Sequence, residues 1–170
     1  MTTYYYPSDT IFGGAITVGP GDEIVDFHGS GVSVDLFGTA ISSTLVDGFE
    51  TVESGGLDSG STIDVELNVM SGGTVIGLTV DTLVYRDAGE AIGVTLESGT
   101  IETISPGGVA LGTTVSNSKV FISSGGIDSG STLYGGSVET VYLGGKAIGT
   151  TVSNSTVVIS SGGIDSGSTL

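Results

Sequence analysis

Six acids of this 170-residue chain recur in two short phrases. Asp58, Asp128 and Asp165 lie in GGLDSG or GGIDSG; Glu50, Glu102 and Glu139 lie in FETV, IETI and VETV. Recurrent acids suggest two chemistries. One is calcium held between turns, as in the G-G-x-G-x-D nonapeptide pattern. Here the Gly before the acid is missing and the period is near 18, not 9. The Asp residues therefore read as solvated turn residues making Asx-type hydrogen bonds. The other is polysaccharide cleavage by carboxylates in a groove, helped by Arg or Lys. The one Arg, Arg86, lies in VYRDAG, and the sole His, His28, lies near the N-terminus. Acid–base work needs groups of unlike environment brought together once. Glu at a repeated position reads instead as architecture. Ser is abundant, but no His–Asp partnership accompanies it. No enzyme is expected, and no catalytic, metal-binding or cofactor-binding residue is assigned.

Composition narrows the partners. Lys and Arg number 3 against 19 Asp and Glu, a formal net charge of −16. Arg86, Lys119 and Lys146 are too scattered to bind nucleic acid or an anionic membrane. The charge reads as a device for solubility. There is no Cys, so disulfides and thiolate sites are excluded. The opening MTTYYYPSDT has no basic and apolar pair of regions, so it is not a secretory signal. No apolar run reaches the length of a membrane helix.

The acids belong to a repeat. Gly pairs begin at Gly55, Gly72, Gly107, Gly125, Gly144 and Gly162, with Ala88-Gly89 as a degenerate seventh; successive spacings are 17, 16, 19, 18, 19 and 18. The seventh position after each pair begins is Thr: Thr62, Thr79, Thr95, Thr114, Thr132, Thr151 and Thr169. The eighth is aliphatic: Ile63, Val80, Leu96, Val115, Leu133, Val152 and Leu170. Such a unit is too short for a helical pair. Its four- to seven-residue segments are rich in Val, Ile, Thr and Tyr, and Gly marks the corners. One unit cannot bury its own apolar face, so units must stack.

The expected fold is all-β: a right-handed parallel β-helix, or β-solenoid, with coils of about 18–19 residues. Ile63, Val80, Leu96, Val115, Leu133 and Val152 become inward columns. The Thr residues become an outward ladder by strand alternation. A single Thr file is too narrow for an ice-binding face and reads as a β-branched stack. Asp-bearing coils alternate with Ala-bearing coils over the last 74 residues. Skipping a rung would keep like charges apart. Residues 1–40 read as an N-terminal cap with irregular first coils, Tyr4, Tyr5 and Tyr6 serving as cap packing rather than a sugar platform. Residues 41–170 read as the repeat solenoid. The chain stops in mid-pattern, so more coils are expected in the native protein.

The stretch SSGGIDSGSTLYGGSVETVYLGGKAIGTTVSNS resembles the strand-loop-strand repeats of AIDA-type and self-associating autotransporter passenger domains. The likeness covers roughly residues 45–170. It implies a β-helix at the bacterial cell surface, acting in adhesion, autoaggregation or biofilm formation. It also implies O-glycosylation by a glycosyltransferase, with Ser123, Ser124, Ser160 and Ser161 as candidates. The functional expectation is a non-enzymatic extracellular segment of a surface adhesin, working by multivalent weak contacts. Its partners would be a second copy or a cell-surface glycan, not nucleic acid and not the membrane interior. The net charge should oppose self-association, so salt or divalent cations should promote it. The alternatives are a stalk or export scaffold presenting another domain and, behind it, a polysaccharide-active enzyme.

Overall fold

The computed structural model of the protein describes residues 2–5, 10–81, 84–97 and 99–170. Among these residues it has twenty-four strands and no helix, and parallel strands stack as a β-solenoid. Segment length explains why. Strands such as Val138–Val141 and Lys146–Ile148 have three or four residues and no stability alone. Each is held by hydrogen bonds to its copies one coil above and below. The first Gly of a pair supplies a left-handed corner, with φ +83° at Gly125 and +77° at Gly144. The second answers a different need. A Cβ at Gly56 would fall 2.1 Å from the Leu36 carbonyl oxygen, and one at Gly108 would fall 2.3 Å from that of Asp87. Adjacent coils approach too closely there for any side chain.

One sheet has ten strands, a three-residue strand per coil from Thr3–Tyr5 to Ile164–Ser166. The other has fourteen and forms two flanks of each coil. In the first coils one long strand crosses both flanks, as in His28–Leu36, Thr44–Val52 and Thr62–Val69. Later the flanks separate, as in Thr114–Ser116 and Lys119–Ile122. Residues 10–40 join the same stack. Thr10–Val18 pairs with His28–Leu36, and Ile24 and Ala40 share an inward file.

Register fixes which side chains are inside. Thr62, Thr79, Thr95, Thr114, Thr132 and Thr151 stand directly above one another, and Thr169 bridges to Thr151. All are exposed or half-buried on the outside. One residue further on, Ile63, Val80, Leu96, Val115 and Leu133 are fully buried, and Val152 is 8% exposed. Leu133→Ala should therefore destabilise the fold by about 2–5 kcal/mol. Thr132→Ala, one residue away, should stay within about 0.5–1 kcal/mol. Equilibrium unfolding in urea measures both; equal costs would contradict the inward–outward alternation.

Candidate functional site

The interior is lined by more than aliphatic side chains. In the ten-stranded sheet the middle residue of each strand points inward, and register aligns Val75, Ala91, Ala110, Asp128, Ala147 and Asp165. Asp58 precedes Val75 in this file. On the neighbouring flank a second inward file runs Glu50, Leu67, Tyr85, Glu102, Val120, Glu139 and Val157. A third carries Asp87 between Val69 and Ile104. Glu50, Asp58, Asp87, Glu102, Asp128 and Glu139 are at most 1% exposed.

This overturns the expectation that Asp58 and Asp128 are solvated turn residues. Each is the centre of a three-residue strand, Leu57–Ser59 and Ile127–Ser129. Alternation turns the central side chain in, and the corner begins only at Gly60 or Gly130, with φ +70° and +73°. Asp165 has the same local geometry but is exposed on the terminal coil. The alternation of coils does not keep acids apart either. On the coils of Ala110 and Ala147 a Glu enters from the neighbouring flank, and Glu50 shares its coil with Asp58. Asp87, Glu102, Asp128, Glu139 and Asp165 thus place one acid on each of five successive coils. Room is found by exchange of volume on the later rungs. Glu102 and Glu139 share coils with Ala110 and Ala147, and the shorter Asp128 shares its coil with Val120.

No cation balances this file, because Arg86, Lys119 and Lys146 are all exposed. Local donors satisfy part of it. The Ser61 hydroxyl donates to Asp58 Oδ1 at 2.5 Å, and the Ser131 hydroxyl to Asp128 Oδ1. The Gly89 N–H donates to Asp87 Oδ1 at 3.1 Å. Asp58 Oδ2, Asp87 Oδ2, both carboxyl oxygens of Glu102 and the Tyr85 hydroxyl have no well-formed partner. Ionised carboxylates in such a place would be costly.

Burial shifts these acids toward their protonated forms instead. Burial pushes Asp58 up to about 7 against the pull of Ser61 and the Ser59 N–H. Burial does the same for Asp87, also to about 7, opposed by the Gly89 N–H and aided by Glu90. Glu50 is pushed well up by burial and then by Asp58. Glu102 is pushed well up by burial and by Asp87, Asp128 and Glu139. Burial and the neighbouring Glu102 and Asp87 raise the Tyr85 hydroxyl. Glu139 rises to about 9, chiefly by burial, then through the charge of Asp128 and a hydrogen bond to it, with Thr150 pulling the other way. Asp128 is raised by burial, but hydrogen bonds from Glu139, Ser131 and the Ser129 N–H lower it. Glu139 and Asp128 therefore titrate together, with burial raising both.

The remaining singled-out residues lie elsewhere. Arg86 is spent outside on Glu66 and on Asn68 Oδ1, the latter at 3.2 Å. His28 is exposed, its Nδ1 2.9 Å from the Asp26 carbonyl oxygen. Tyr4 is 46% exposed beside a shallow depression lined by Ile16, Val18 and Ile24. Tyr6, like the Tyr5 side chain, lies outside the described residues. Ser124 and Ser161 are exposed in the Gly-Gly turns, while Ser123 and Ser160 are half-buried. Among the described residues no group of three or more His, Asp or Glu is placed to hold a metal ion. The sequence did signal the inward Asp. In DSGS the Ser three residues on is its donor, and in VETV the Glu takes the alternating inward position.

No protein-family model and no curated protein matches this chain. Among solved structures it is similar to a fragment of TibA hyper-glycosylated by TibC. That match has 18% identity, covers 99% of this chain and 92% of that one, and has a TM-score of 0.41. At that score the likeness carries no argument about function.

The buried acids give stability a definite dependence on pH. Their folded-state pKa values lie above the unfolded ones, so the folded chain holds protons that the unfolded chain releases. Stability is then full below about pH 4. It falls by up to about 1.4 kcal/mol per pH unit for each such group as pH rises toward its folded value. For Asp58 and Asp87 the decline ends near pH 7, and for Glu139 near pH 9. Urea midpoints should fall steadily from pH 5 to pH 9. Glu139→Gln should flatten that slope and raise stability at pH 9. A slope unchanged by the substitution would show Glu139 ionised in the fold.

Proposed function

We propose that this chain is a non-enzymatic, extracellular repeat segment of a bacterial surface adhesin that acts by multivalent weak contacts. The observation that carries the reading is the contrast between inside and outside. Five of the six recurrent acids, the groups best suited to chemistry, are sealed from any substrate, and only Asp165 on the terminal coil is exposed. What the rod presents outward is a ladder of the same groups at each coil, about 4.8 Å apart. Weak contacts repeated at a fixed spacing add by avidity rather than by individual strength. Binding of this kind needs length, regularity and low surface charge, and the later coils have all three. Beyond Glu97 the sides of the rod carry two cations, Lys119 and Lys146, and the one exposed acid, Asp165, lies in the inward file at the terminal coil.

In this reading Ser124 and Ser161 are the preferred acceptors of O-linked sugar, being exposed at equivalent corners. The buried side of the same turns leaves Ser123 and Ser160 less accessible. A glycosyltransferase would find the same turn presented every second coil. The stalk or scaffold reading shares the rod but assigns no contacts to its sides.

Display of the chain on the surface of non-adherent bacteria tests the two. Displayed cells should settle together or bind abiotic and cell surfaces faster than cells displaying an unrelated rod of equal length. Excess soluble chain should compete. Settling and binding equal to the control would leave the scaffold reading in its place.

A further inference from the structure

The outer surface of the ten-stranded sheet is short of charge in a chain with 19 acids. Two residues of each strand face out, making two straight files. In the first, register aligns Glu90, Val109, Ile127 and Lys146 on four successive strands. In the second, Ile92, Leu111, Ser129 and Ile148 stand beside them. The flanking strands add Ile76 and Ile164, which are 39% and 47% exposed. Glu90 and Lys146 are the only charges on this part of the face. Both are exposed, and the one salt bridge among the described residues joins Arg86 to Glu66 elsewhere. The first file therefore reads acid, aliphatic, aliphatic, base.

That order is its own complement. We infer that this face docks on the same face of a second copy, the two solenoids running antiparallel, with Glu90 of each copy opposite Lys146 of the other. The two-fold axis would lie along the strands, midway between Val109–Leu111 and Ile127–Ser129. Rotation about it keeps position along the strand and reverses the order of coils. Val109 then meets Ile127, and Ile92 meets Ile148. The parallel arrangement sets the first file against the second, leaving Glu90 over Ile92 and Lys146 over Ile148 with neither charge paired. Antiparallel pairing is thus selected by charge, and the symmetry closes the pair. Facing sheets sit roughly 10 Å apart, a gap that a Glu and a Lys side chain span together. Other parts of the rod are less suited to a partner of like net charge. The Thr-bearing flank is edged by Asp64, Asp81 and Glu97, all exposed.

The contact is small. Six strands at about 4.8 Å spacing and three residues each give roughly 300 Å² per copy. A stable interface takes about 800 Å² per partner. The pair is therefore weak and reversible, as multivalent adhesion needs. The inference rests on the proposed function for its setting but not for its test.

Sedimentation equilibrium of the purified chain at fixed ionic strength should show a concentration-dependent monomer–dimer equilibrium. E90K and K146E each set like charges opposite one another twice per pair and should weaken association by about tenfold or more. E90K/K146E together should return it to within about threefold of the unaltered chain. Carbodiimide treatment of the unaltered chain needs no variant and should link Glu90 of one copy to Lys146 of the other, read by mass spectrometry. A chain that stays monomeric at millimolar concentration overturns the inference, as does a double variant no better than the singles. A monomeric chain that binds microcrystalline cellulose would assign the face to glycan and overturn it too. Solution pairing without cell settling would defeat the adhesin reading alone; settling indifferent to E90K would defeat this pairing alone.

Discussion

The parallel hydrogen-bond ladder between successive coils is the constraint on which the other features depend. A coil of 16 to 19 residues cannot satisfy its own backbone, so its strands take their partners from the coils on either side. In-register pairing then copies every inward position into a file and every outward position into another. Glycine enforces the close approach. At Gly56 and Gly108 the carbonyl oxygen of the preceding coil occupies the space a methyl group would need. Once that approach is set, the identity of an inward residue affects its neighbours above and below as strongly as those on its own coil.

This constraint makes the buried carboxyls intelligible. In a globular core a lone acid can be met by a cation from another element. A solenoid lumen has no other element, only the same positions repeated. Charge must be removed by protonation, and neighbouring acids help because each raises the other's affinity for the proton. Steric fit follows the same logic. The long Glu side chain shares a coil with Ala110 or Ala147, the short Asp128 with Val120. A column of Glu on every coil would crowd the lumen, and a column of Asp would leave it underfilled.

Much of the fold was legible because a repeat reports itself many times. The Thr and aliphatic positions agree at all seven units, and period-two alternation is enough to place Leu133 inside and Thr132 outside. The Asp residues were misread for a local reason. Flanked by Gly and Ser, they carry the composition of a turn, while the three-residue strand that turns them inward is too short to show alternation by itself. The clue was the Ser three residues later, which supplies the hydroxyl that a buried acid needs. The Glu residues in FETV, IETI and VETV were correctly taken as architecture, but the files meet only through coil geometry, which spacing does not give. Formal net charge misled in the same way, since it counts interior protons as absent.

That last point changes how the molecule is seen from outside. Burial raises the pKa of six of its acids, so they add less field than their formal charge implies, and the rest of the acids lie at or before Glu97, apart from Asp165. The rod is acidic over its first coils and nearly neutral over its later ones. Each further double repeat of 37 residues in the pattern of 125–161 would bring one Asp and one Glu into the lumen and no acid to the surface. Proton content would then grow with length while the sides stayed close to neutral. A tall stack of this pattern could have long, weakly charged faces available for contact, with its large acid content held where it repels nothing outside.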